Sequence, residues 1–260
     1  MQSLVTAVMG TASESRDHLP LLRWILINAL AAFAFLVLWH FGLVQVMFET
    51  DRTHISNIIL ALFVLTVAHC FYQTILISRE LVIARRVQEE IAGTGRGFQV
   101  IGDRVLTQDG RELEQGVITR HIANLVTKSR AAGGQKIDQT LLLRSLAEQL
   151  RAREKLGWFI AEALLRLALL GTAVGFILML IPIASLKSFD VETLRSALAG
   201  MSGGMAIALN VTVAGIASAL LLKVEYYFLD ESVSDLFHLI TDITEVHVVS
   251  ALERTAETRA

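Results

Sequence analysis

The sequence predicts an all-α integral membrane protein with four transmembrane helices and a helical segment between helices two and three. Three observations carry this. The chain of 260 residues is 53% hydrophobic but only 18% charged, against roughly 25% charged residues in ordinary soluble domains. The apolar residues gather in a few long runs, and proline, which would break them, occurs only twice. Positive charge concentrates in one long interval between the second and third runs. A run of about 20 apolar residues spans a hydrocarbon core of about 30 Å.

The first span is expected from Trp24 to Phe48, with Pro20 placed to begin its helix and Trp24 at the interface. The second is expected from Ile55 to Ile77, the third from Leu156 to Leu186, and the fourth from Met201 to Leu222. Pro182 falls near the far end of the third, and Tyr226, Tyr227 and Phe228 follow the fourth. The organisation is then an N-terminal segment 1–23, spans one and two in 24–78, a middle segment 79–155, spans three and four in 156–229, and a C-terminal helix 230–260.

Orientation follows from the basic residues. From Arg79 to Lys155 there are 14 Lys and Arg, whereas the first connection holds Arg52 and the last only Lys187 and Arg195. The positive-inside rule places the middle segment and both termini in the cytoplasm. The start lacks basic residues ahead of its short apolar segment and does not read as a cleaved signal peptide.

The middle segment reads as mainly helical. "SRELVIARRVQEEIAG" continues span two, with Arg85/Glu89 and Arg86/Glu90 as i,i+4 pairs and Gly93 as a stop. "VIGDRVLTQDGREL" has the alternation and Asp-Gly turn of a small hairpin. Asp138 is placed to cap a helix with Leu142, Leu146 and Leu150 on one face. With no breaker before Gly157, that helix is expected to run into span three.

Composition and motifs exclude several classes. The net charge of -2 argues against nucleic-acid binding. One cysteine, Cys70, permits no internal disulfide and no metal-ligand spacing, so neither cofactor nor metal is expected. "GTGRG" at residues 93–97 has no preceding strand and reads as a helix end and turn. The sequon at Asn210 falls within a span. No catalytic constellation is visible, and the chain is not expected to be an enzyme.

Polar residues within the spans have two readings each. His40 and His69 are either a proton relay or neutral histidines bonded to neighbouring helices. Glu162 and Arg166 either pair with each other at i,i+4 or guide an ion. Span four carries a stripe of Gly204, Ala208, Thr212, Gly215 and Ala219; span three carries Ala168, Thr172 and Gly175. Such stripes permit close helix approach, and Thr hydroxyls can bond across helices or to their own backbone. Packing alone would explain them, yet both place a hydroxyl at mid-membrane depth. The centres of spans three and four lack Asp, Glu, Lys and His, so an ion path there would need a carboxylate from another subunit.

"LLGTAVGFI" (Leu169–Ile177) followed by "GGMAIALNVTVAGIASAL" resembles the paired signature of the MotA/TolQ/ExbB proton-channel family. Thr172 falls on the Thr of its first motif; Ala208, Leu209, Thr212 and Gly215 fall on its second. The resemblance covers about Ala161 to Asp230. It implies a ring of five subunits in a bacterial inner membrane, around two single-span partners of the MotB/TolR/ExbD type. Each partner brings a membrane aspartate, and ion flow powers motion or force. Thr212, with Asn210, would then face the partner's carboxylate. The sequence departs from the ExbB-like pattern at Ile207, where a glutamate is usual, and lacks the proline that often precedes the first motif. Four spans resemble the MotA branch. The ion, H⁺ or Na⁺, and the load stay open, as does a non-conducting membrane scaffold built on the same stripes.

Overall fold

The computed structural model describes residues 19–42, 44–45, 47, 53–94, 98–101, 104–107, 110–132, 138–184 and 190–257. The N-terminal 18 residues, the last three residues of "GTGRG" and residues 185–189 of the last connection lie outside them. The elements run α1 (Leu19–His40), α2 (Ile55–Thr94), β1 (Phe98–Ile101), β2 (Arg104–Thr107), α3 (Val117–Ala132) and α4 (Thr140–Arg151). They continue with α5 (Lys155–Ala184) and α6 (Val191–Ile243), a π-helical turn (Thr244–Val249) and α7 (Ser250–Glu257). Four helices are long and apolar enough to cross a membrane, as the composition requires.

The chain divides into two compact units. One comprises residues 23–71 and 155–227 and holds the apolar lengths of the four spanning helices. Its α1 exposes Leu26, Leu30, Phe33 and Leu36 among other apolar side chains, the surface that hydrocarbon rather than water solvates. α1 ends at His40, short of the expected Phe48, because Gly42 takes φ +74 and its N–H donates to the Trp39 carbonyl at 3.0 Å. Glycine enters that left-handed conformation without a Cβ clash. α5 and α6 bury Ala161, Leu164, Ala168, Ile207, Ala208, Val211 and Ala219.

The described residues of the other unit fall within 19–22, 72–154 and 228–257. Ile77, Leu81, Ala84, Val87 and Ile91, at helical spacing along α2, are buried there, as are Ile118, Ile122, Leu125, Leu236 and Ile240. Glu80 accepts the Val117 N–H at 2.8 Å, placing a carboxylate at the N-terminus of α3, where unpaired amides favour negative charge. β1 and β2 form an antiparallel hairpin with Ile101 opposite Arg104. The Asp-Gly sequence therefore lies beyond this hairpin: Gly110, at φ +78, leads into a bridge between Leu106 and Glu112.

Two local expectations change. α4 does not continue into span three but stops at Arg151, with a turn before α5 starts at Lys155. Glu154 occupies that turn and is buried. Its carboxyl is pushed up to about 8, first by burial and then by the facing Asp230. Arg86 pairs with Glu114 at 3.2 Å rather than with Glu90. The cap of α4 holds in altered form: Gln139 is the N-cap residue, and Asp138 Oδ1, one residue earlier, accepts the Thr140 N–H at 2.9 Å. Leu146 and Leu150 are buried on the expected face.

Candidate functional site

Where α5 meets α6, glycines and alanines replace larger side chains so completely that backbone meets backbone. A Cβ on Gly175 would lie 2.6 Å from Ala208 Cβ, and one on Gly204 would lie 2.5 Å from the Met179 nitrogen. A Cβ on Gly215 would lie 2.5 Å from Ala168 Cβ. Ala219 completes the buried row on α6. Near the far end, Gly200 makes room for the Pro182 ring, whose Cγ an added Cβ would approach to 2.7 Å. Close approach of this kind maximises dispersion contacts between helices, the chief attraction available inside a membrane.

The threonines stand at the edge of this seam. Thr172 and Thr212 are half-buried, and their hydroxyl oxygens make a short contact with each other. Thr172 Oγ1 also lies 3.0 Å from the Ala168 carbonyl, and Thr212 Oγ1 lies 2.8 Å from the Ala208 carbonyl. Each hydroxyl supplies one proton and two lone pairs. Two protons therefore serve three contacts, so either Thr172 donates to Thr212 or the reverse, and the donor gives up its own carbonyl. The pair is polarisable, and it has spare lone pairs for an outside acid.

Asn210 is not part of this pair. Two residues from Thr212 means about 200° of helical rotation, which carries it to a different face. It is half-buried there. Glu162 and Arg166 pair with each other at 3.3 Å, largely exposed. His69 Nδ1 lies 2.9 Å from the Tyr226 hydroxyl, a bond to a neighbouring helix. His40 stands edge-on to Phe41 with ring centroids 6.0 Å apart.

Sequence reasoning missed three features of this unit. Gly171 is buried against Val211, where an added Cβ would meet Val211 Cγ1 at 2.2 Å. Its four-residue spacing from Gly175 was the available signal. Gly157 is buried against the Tyr226 ring, with Cζ only 1.9 Å from an added Cβ. Glu225, just beyond the expected end of span four, is buried.

Fold and seam define a multi-pass helical membrane protein whose last two spans meet through a small-residue interface edged by two hydroxyls. A model of the MotA/TolQ/ExbB proton channel family matches residues 117–242, and over that region the chain is similar to this family. The match takes in α3 and α4 as well as both motif-bearing spans, extending the resemblance beyond residues 161–230. No curated protein matches the chain.

Proposed function

We propose that this proton-channel-type subunit conducts ions, most readily protons, as one of five copies around two single-span partners, and converts ion-motive force into mechanical work. The observation that carries the reading is the Thr172–Thr212 hydroxyl pair at the edge of the α5–α6 seam. A membrane aspartate on a partner helix of the MotB/TolR/ExbD type would meet a group able to donate to its carboxylate and accept from its acid form. This is what a carboxylate needs when it loses and regains a proton in a medium without water. Ala168, Gly175, Gly204, Ala208, Gly215 and Ala219 hold the two hydroxyls at fixed spacing. The middle segment 79–155 and both termini face the cytoplasm of a bacterial inner membrane, as the basic residues favour.

The energies suit a motor. One charge falling through 100 mV releases about 2.3 kcal/mol, whereas a membrane interhelical hydrogen bond averages about 0.6 kcal/mol. One ion can therefore break and remake several such contacts per step. One observation favours a scaffold: each hydroxyl lies within hydrogen-bond distance of its own helix carbonyl, as in threonines with no role in conduction. Proton flux into vesicles, with and without a co-produced single-span partner, separates the two. Conduction needs the partner and both hydroxyls; a scaffold passes no ions in either condition.

A further inference from the structure

Glu225 is 1% exposed and lies in the same unit as the seam. Neither of its carboxylate oxygens is engaged at close, well-aligned hydrogen-bond geometry. The side chains of Asn28, Cys70 and Trp24 face it from α1 and α2. The buried Trp24 indole N–H likewise makes no close, well-aligned hydrogen bond. Asn28 anchors its amide by donating to the Trp24 carbonyl at 3.1 Å, and Trp24 is fixed by ring contact with Phe71 at 4.5 Å. Three helices thus enclose an acid among N–H and S–H groups. The charged and titratable neighbours in sequence are Arg23 on α1, His69 and Cys70 on α2, and Lys223 and Tyr226 on α6. Among the described residues none forms an ion pair with Glu225.

An ionised carboxylate enclosed in this way is costly unless it holds a proton or a cation. The two possibilities demand different surroundings. A sodium ion or other hard cation requires several oxygen ligands. The groups facing Glu225 are an indole N–H, a thiol and one side-chain amide, which bring a single oxygen beside the carboxylate rather than an oxygen cage. A proton requires none of these ligands, and the indole N–H can donate to the carboxylate left when the proton departs.

We propose that Glu225 is a buried proton-binding site belonging to this chain alone, formed by α1, α2 and α6. It is separate from the threonine pair. Thirteen residues of helix set it about 20 Å from Thr212 along α6, on a roughly opposite face. The seam has hydroxyls but no carboxyl; this site supplies an acid enclosed away from it. Conduction past Thr172 and Thr212 is not required for it, so its test needs neither partner nor flux.

The test is infrared difference spectroscopy on the full chain in lipid nanodiscs, comparing wild type with Glu225→Gln in acidic and alkaline buffers. The expected result is a carboxylic-acid C=O band, distinct from that of Glu154, that shifts in D₂O, disappears on alkalinisation and is missing from Glu225→Gln, where the Glu154 band persists. Trp24→Phe, which removes the facing donor but keeps an aromatic ring against Phe71, should retain the band and move the pH at which it disappears. Identical spectra for wild type and Glu225→Gln would overturn the proposal. So would loss of the band on adding sodium at constant pH, which would make the ligand a metal cation. If Glu225→Gln does not fold, a Trp24→Phe band titrating as in wild type overturns it instead.

Discussion

Replacing Gly175 with alanine adds one methyl group where α5 and α6 are closest. The new Cβ would sit 2.6 Å from Ala208 Cβ and 2.7 Å from its Cα and nitrogen, against the 3.4 Å at which ordinary contact begins. Two of those three atoms are backbone, so no rotamer change relieves the overlap, and the helices must separate by about 0.8 Å. Overpacking of this kind costs about 1–3 kcal/mol. Alanine also favours the helix by about 1 kcal/mol relative to glycine, so the measurement needs a reference site. Gly203→Ala provides it, because a Cβ there meets nothing within 4 Å. The two variants share the helical gain and differ only in the clash. Gly175→Ala should therefore unfold more readily than Gly203→Ala by about 1–3 kcal/mol, a factor of about 5 to 150 in the unfolding equilibrium. Reversible unfolding in mixed micelles reads this directly. Native mass spectrometry of the same samples should show Gly175→Ala assemblies weakened and Gly203→Ala assemblies intact. Indistinguishable unfolding would refute the close approach of the helices and, with it, the fixed spacing of the threonines.

Three further outcomes are expected. Gly157→Ala would place its Cβ 1.9 Å from Tyr226 Cζ, so it should displace that ring, break the contact with His69 and destabilise the fold more than Tyr226→Phe, by the same unfolding assay. Glu154 binds its proton more tightly folded, near 8, than unfolded, near 4.5. Its contribution should be complete below the unfolded value and decline as pH rises from about 4.5 to about 8. Glu154→Gln should flatten stability across that window, and an unchanged slope would remove the assignment. For topology, a cysteine at exposed Arg144 should react only with cytoplasmic thiol reagent and one at Val191 only from outside; labelling of Arg144→Cys from outside intact cells would reverse the orientation.

The spans were legible because hydrocarbon imposes a simple requirement: long uninterrupted apolar helices. Their limits were less so. α1 ends at His40 because of Gly42, whereas apolar residues continue to Phe48, and hydropathy does not register backbone φ. α4 seemed continuous with α5 because no glycine or proline separates them; burial of Glu154 in the intervening turn is tertiary in origin. The small-residue stripes were visible by period. Which member turns inward was not: Gly171 fills the seam while Thr172 stands at its edge, a difference of one residue, or about 100° of helix. Arg86 chose Glu114, distant in sequence, over Glu90 one turn away, and spacing rules cannot anticipate a partner on another element. Glu225 passed unnoticed because a lone glutamate near a span end ordinarily reaches water; only the packing of α1 and α2 reveals its enclosure.

The most direct test of the central claim is partner-dependent proton flux through the Thr172→Val, Thr212→Val double variant. Valine keeps the branched shape and deletes both hydroxyls. The complex would be co-produced with a single-span protein carrying a membrane aspartate and reconstituted in vesicles with a pH-sensitive dye. A hydrogen bond to a charged group contributes about 1.5–3 kcal/mol, so flux should fall about 10-fold to 150-fold while native mass spectrometry shows the same assembly as wild type. Undiminished flux from an intact assembly would contradict the account and leave the threonines with packing alone.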